Sequence, residues 1–243
     1  MIYKIFPVVI FALMSFASNE THPVSLNQKT TMDPALLAAN FKSSLDLKVA
    51  NVYGKLHATN IDLPQPESFS EALKGFYTLK EKGIVQKDIL TLIDFSLSSN
   101  AKRLWVIDLS TNTVLMNTLV AHGRNTGEEF ATSFSNESSS FKSSLGFYAT
   151  GEIYNGKHGK SLKLDGLEKG INDNARDRGV VMHAADYVSD NFINSHRRLG
   201  RSQGCPALPV QLTNEIIDTI KNKSCLYIYH PSRSHQSASK LIS

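Results

Sequence analysis

Between residues 89 and 121 the apolar positions stop recurring at helical spacing and come instead in short, sharply bounded runs. Ile89 to Phe95 (ILTLIDF) and Arg103 to Leu109 (RLWVIDL) read as strands. Ser110-Thr111-Asn112 supplies a turn, and Thr113 to Ala121 (TVLMNTLVA) returns as the partner strand of a hairpin. A chain that opens on helical patterns and then switches to short apolar runs joined by a turn predicts a mainly β fold with flanking helices, of the α+β class, with an N-terminal helical layer.

The helical patterns lie before the switch. Asp33-Pro34 offers an N-cap with proline at the first helical position, and Leu36, Leu37, Phe41 and Leu45 follow at helical spacing. His57 to Glu67, with Pro64 and Pro66, reads as a linker. A second helix is expected from about Phe69 to Lys82, with Ala72, Leu73, Phe76, Tyr77 and Leu79 as its buried stripe and a stop at Gly83. This pair is expected to form an accessory layer.

After the hairpin the pattern loosens. Gly123 to Ser144 is a polar loop, Leu145 to Ala149 a short strand, and Gly151 to Arg178 a Gly-rich, charged connection. Loops of this length in a compact domain usually either shape a site or are partly disordered. Gly179 to His183 (GVVMH) is an apolar run expected as a buried strand ending in histidine. Pro209 to Lys221 is expected as a helix with Leu212, Ile216, Ile217 and Ile220 inward, and Cys225 to Tyr229 (CLYIY) as a last strand. From Ser232 the tail is polar and expected to be loose. The chain has no internal repeat.

Residues 1–17 (MIYKIFPVVIFALMSFA) combine an early Lys4, an apolar run and small residues before a cleavage position near Ala17, the pattern of an export signal. The run is shorter than the roughly 20 residues of a bilayer span, and no cysteine follows it to carry a lipid anchor. With 243 residues, 41% of them hydrophobic, the chain can bury one main domain. The formal charge of +4, falling to +3 without Lys4, is spread along the chain with no dense basic tract, and there is one Trp, so nucleic acid is not an expected partner.

Two cysteines remain to be placed. Cys205 lies in GRSQGCPALP, where Gly204 lets the backbone approach a reacting carbonyl and Pro206 and Pro209 suit the first turn of a following helix. A loop ending at a helix start would aim N–H groups at the thiol. That setting suits a nucleophile, but export also favours a Cys205–Cys225 disulfide, and an inert buried thiol is a third possibility. Cys225, opening an aromatic strand, reads as a small buried hydrophobe.

A thiol nucleophile needs a base. Of His22, His57, His122, His158, His183, His196, His230 and His235, His183 is the one that closes a strand, 22 positions before Cys205. His196 looks solvent-facing. Its neighbours Arg197 and Arg198 could bind a substrate carboxylate, although each alone reads better as part of a solvated loop. His183, Asp186, His196 and Cys205 lack any metal-ligand spacing such as HExxH or CxxC. No compact Asp/Glu pair or phosphate-binding glycine pattern is present.

Taken together, a strand ending in His183, a loop, and Ser202-x-Gly204-Cys205 resemble the L,D-transpeptidase (YkuD-type) catalytic domain. The hairpin of Arg103 to Ala121 and the segment Ser143-Ser144-Leu145-Gly146-Phe147-Tyr148 resemble that family's opening hairpin and its Thr-Pro-x-Gly-x-Phe/Tyr segment. The resemblance covers roughly 88 to 231 and departs at Gln203, at Pro206-Ala207 and at Ala184, as in a divergent branch. It implies a mixed, mainly β sheet or sandwich with its site in a cleft. It implies that Cys205 attacks a peptide carbonyl before a terminal D-amino acid while His183 takes and returns the proton. Gly204 and Cys205 would then supply oxyanion N–H groups, Ser202 a brace and Gln203 a substrate-orienting side chain. The implied substrate is the peptidoglycan stem peptide in the periplasm or cell envelope, with no metal or organic cofactor. The expected layout is a signal at 1–17, a flexible lead and helical accessory region at 18–87, the catalytic domain at 88–231 and a polar tail at 232–243.

Overall fold

A computed structural model describes residues 34–232 and 237–242. The expected export signal, the flexible lead of residues 18–32 and the expected N-cap Asp33, together with His22 and His235, lie outside the described residues. The chain divides into two units, 1–39 and 40–243, and everything below concerns the second.

Among the described residues, eight strands form one mixed sheet in the order β3-β2-β1-β8-β4-β5-β6-β7, and four helices accompany it. The expected hairpin is β2 (Leu104–Asp108) and β3 (Thr113–Thr118), paired antiparallel. The β1 strand (Ile89–Asp94) runs antiparallel to β2 and parallel to β8 (Cys225–Tyr229), which also pairs with β4 (Gly146–Gly156). Beyond β5 (Gly159–Gly166) come β6 (Val181–Ala184) and the two-residue β7 (Ala207–Leu208), parallel to each other. The sheet curls until its ends meet, because Ala121, just beyond β3, forms a bridge with Ala207 of β7.

Central strands are buried on both faces, which is why they read as continuous apolar runs. Alternation divides them between two cores. Ile93, Leu104, Val106, Leu226 and Ile228 face α4 (Val210–Ile220), whose Ile216, Ile217 and Ile220 are buried. Leu90, Leu92, Trp105, Ile107 and Tyr227 face α2 (Pro66–Glu81) and Val49 of α1 (Pro34–Gly54).

The layer expected as an accessory is part of this packing. On α2, Phe69, Leu73, Phe76 and Leu79 are each at most 2% exposed, and burying a side chain of that size is worth about 1.5–3 kcal/mol. The tail also departs from expectation. Ser239 is buried with its hydroxyl on Glu168 Oε1, and Leu241 and Ile242 pack against the α2-side core.

The Gly-rich connection of 151 to 178 conceals most of a long hairpin, since β4 continues to Gly156 and β5 occupies 159–166. The outer half of β4 is exposed, so it carries the polar and glycine residues that read as loop. A seven-residue helix, α3 (Asp190–His196), was too short to leave a periodic trace; Ser189 caps it, its hydroxyl accepting from Phe192 N–H at 3.3 Å. No helix among the described residues is long and apolar enough to cross a membrane.

Candidate active site

The parallel pairing of β6 and β7 sets the geometry. His183 is in register with Ala207, so Cys205, two residues earlier, lies level with Val181. Val181 N–H points at Cys205 Sγ at 3.5 Å, and the thiol reaches Gly179 O at 3.7 Å. Residues 181 and 183 share one face of β6 by strand alternation. Cys205 and His183 both line one cleft of about 540 Å³.

The helix expected from Pro209 is α4, which begins at Val210, but β7 stands between it and Cys205, so the thiol is followed by a strand and not directly by a helix start. The loop is shaped by its own hydrogen bonds. Ser202 Oγ donates to Cys205 O at 2.6 Å and accepts from Gly204 N–H at 3.0 Å. Ser143 Oγ holds the outer side, donating to Gly204 O at 3.1 Å and accepting from Gly123 N–H at 3.0 Å. At Gly204, φ is +120° and an added Cβ would lie 2.8 Å from Lys142 O, so no other residue fits without moving backbone. Ser202 therefore occupies the position of a brace. The Gly204 N–H is turned onto Ser202 and away from the oxyanion role expected for it. For the N–H of Cys205 no acceptor is present among the described residues.

His183 is largely buried, and its Nδ1 lies 2.9 Å from Ala184 O. A carbonyl can only accept, so Nδ1 carries the proton and Nε2 keeps its lone pair. Desolvation lowers the imidazole's pKa, against the Ala184 hydrogen bond, with His158 and Lys157 lowering it further. Desolvation likewise raises the Cys205 thiol, against Val181 N–H and the charges of Arg178 and Lys157, which lower it. The resting pair is thus a neutral thiol and a neutral imidazole.

The disulfide alternative is not realised. Both cysteines are free, Cys225 being fully buried on the α2 side of β8 while Cys205 opens on the cleft. Gln203 is exposed at the cleft. Arg197 and Arg198 are not among its lining residues. Arg197 ends α3 in the left-handed region at φ +63°, and Arg198 Nε pairs with Glu128 at 2.9 Å. His196 is exposed and stacked on Phe192.

Other residues supply the cleft's walls: His158, Lys157 and Tyr154 from the β4–β5 hairpin, Arg178 before β6, Tyr187 and Arg201. Arg178 is tied down by hydrogen bonds to Ser135 O at 2.9 Å and Lys142 O at 2.7 Å. Tyr187 is pushed up to about 12 by burial and by the neighbouring Cys205. Sequence reading passed over all of them. The one available signal was the placement of Arg178 just ahead of the histidine strand.

Residues 62–229 match the L,D-transpeptidase catalytic domain family, a span that takes in α2 as well as the strands. Among solved structures, an L,D-transpeptidase from Mycobacterium smegmatis shares 13% identity over 59% of each chain, with a TM-score of 0.38. The helical cell shape determining protein of Campylobacter jejuni shares 14% over 71% of this chain and 61% of its own, with a TM-score of 0.41. An Enterococcus faecium L,D-transpeptidase shares 12% over 59% of this chain and 50% of its own, with a TM-score of 0.37. The chain thus spans about 59% of the first of these proteins and half of the last. No curated protein matches the chain.

Proposed function

The chain belongs to the L,D-transpeptidase catalytic domain family, and on that premise we propose that it is an exported enzyme of the periplasm or cell envelope. Its substrates are peptidoglycan stem peptides ending in a D-amino acid, and it acts on them through a thioester at Cys205. The observation that carries the reading is the imidazole on β6 and the thiol two residues before the adjacent parallel strand β7, both opening on the same cleft.

The chemistry follows from the protonation states. Both groups rest neutral, so His183 Nε2 must accept the thiol proton as Cys205 Sγ attacks the carbonyl carbon. The carbonyl oxygen becomes an oxyanion, for which the N–H of Cys205 is a backbone donor. When the tetrahedral species collapses, the C–N bond breaks, the departing D-amino acid takes the proton from His183, and the acyl group stays on sulfur. A second stem-peptide amine, or water, then attacks the thioester while His183 accepts its proton; the C–S bond breaks and His183 returns the proton to the Cys205 sulfur, giving transpeptidation with the amine and carboxypeptidation with water. Ser202 keeps the cysteine loop in shape, and Gln203 orients the substrate at the cleft edge.

Incubating the purified protein, without its first 17 residues, with tetrapeptide-bearing muropeptides and reading the products by mass spectrometry tests this. Terminal D-alanine or new cross-links should form, and Cys205→Ala should abolish both. An unreactive wild-type protein, or an equally active Cys205→Ala variant, overturns the proposal. Export is tested separately, by locating the protein in envelope fractions and sequencing its N-terminus.

A further inference from the structure

The β4–β5 hairpin overhangs the cleft. Its last paired positions are Asn155 with Lys160 and Gly156 with Gly159, and a register irregularity between Thr150 and Ile153 breaks the ladder lower down, as bulges that bend a strand do. The turn consists of Lys157 and His158, both exposed. The His158 ring lies on the His183 ring, with centroids 4.5 Å apart and planes 22° from parallel. His158 makes no hydrogen bond among the described residues, and this stack joins its side chain to the site.

His183 needs such a contact. Its Nδ1 donation to Ala184 O is the one hydrogen bond the ring makes among the described residues. A second contact over the ring face fixes the plane, and with it the direction of the Nε2 lone pair.

We propose that His158 is a positioning residue, clamping the His183 imidazole so that its Nε2 faces the Cys205 thiol. The hairpin thereby does more than wall the cleft: its tip sets the geometry of the base. This rests on the reading of His183 as the base for Cys205, and the test separates the two.

Cys205 is alkylated with iodoacetamide at pH 7.5 in the full chain, and the adduct is followed by mass. Because Cys225 is fully buried, the labelled site is Cys205, which a Cys205→Ala control verifies. His183→Ala should slow labelling by two orders of magnitude or so, the range of a lost general base. His158→Ala should slow it roughly tenfold, in keeping with a misplaced catalytic group. His158→Phe, which keeps a flat ring without ionisable nitrogens, should restore the rate to within about twofold of wild type. The His183 Cε1 proton should carry a ring-current shift that His158→Ala removes and His158→Phe retains.

If His183→Ala is slow while His158→Ala labels at the wild-type rate, the clamp is overturned and the base assignment stands. The clamp also fails if His158→Phe is as slow as His158→Ala. If His183→Ala labels at the wild-type rate, the base assignment falls and the clamp with it. Circular dichroism of each variant checks the fold, which an exposed turn position should not disturb.

Discussion

Ser202 closes the cysteine loop from within, serving both as donor to Cys205 O and as acceptor for Gly204 N–H. Replacing it with alanine strands both groups in a buried setting, where each unsatisfied partner costs about 1–3 kcal/mol. Ser202→Ala should therefore lower stability by at least that much in urea unfolding at pH 7, and an unchanged midpoint would mean that the loop is held otherwise. A second expectation concerns the thiol. Desolvation raises its pKa and lowers that of the imidazole, so at pH 7 the thiol rests protonated and the imidazole neutral. In His183→Ala, where only the thiolate reacts, alkylation of Cys205 should keep climbing with pH through 9; a plateau below pH 7 in that variant would refute the raised thiol. Cys205 and His183 were legible in the sequence because their signals are local: a histidine ending an apolar run and Ser-x-Gly-Cys. His158 was not, since a hairpin hidden in a polar, glycine-rich stretch brings it to the cleft. Arg197 and Arg198, each of which read better as part of a solvated loop than as a carboxylate binder, stand outside the cleft's lining, one as the left-handed cap of α3 and the other paired with Glu128.

At the scale of elements, legibility followed length and burial. The central strands and the helices α2 and α4 were readable to within a few residues, because a buried face imposes its period on the sequence. Neither β7 nor α3 is long enough to impose one. What the pattern did not reveal was how α2 relates to the sheet, since an amphipathic stripe says that a helix is covered without saying by what. Gly75 supplies the answer. A Cβ at this position would fall 2.0 Å from Phe147 Cζ, and the Phe147 ring is itself stacked on Tyr227 at 4.1 Å. Gly75→Ala should thus destabilise the whole unit by about 1–3 kcal/mol through overpacking. Trimming the obstacle with Phe147→Leu should make the double variant less unstable than the sum of the two single changes. Strict additivity in the urea midpoints would mean that helix and sheet are not in contact there.

For the whole molecule, the curl of the sheet leaves a charge inside. Arg103 is fully buried, donating to Leu97 O at 2.8 Å, to Val120 O at 3.0 Å and to His122 Nδ1 at 2.8 Å. Because the guanidinium can only donate, Nδ1 must be the unprotonated nitrogen, and Nε2–H is left to face Gly127 O at 3.2 Å. Burial and the Arg103 charge together lower His122 from 6.5 to about 4. The consequence for stability has a definite sign. In the unfolded chain His122 takes up a proton below about 6.5, whereas in the folded chain it resists until about 4, so its contribution is complete above the first value and is lost as pH falls toward the second. The loss by pH 4 is on the order of 3 kcal/mol. Carboxylates titrate in the same window, so the measurement is a difference: urea midpoints for wild type and His122→Gln at pH 7 and pH 4, with the acid-induced drop smaller in the variant. Equal drops would place the proton elsewhere. The effect reaches the catalytic loop through the backbone, since His122 O accepts Ser202 N–H at 3.0 Å. Protonating His122 sets two cations against each other beneath that contact. Acid should therefore loosen the Ser202–Cys205 loop before the α2 layer, and hydrogen exchange at pH 4.5 should show Ser202 and Arg124 amides losing protection ahead of Phe69 and Leu73.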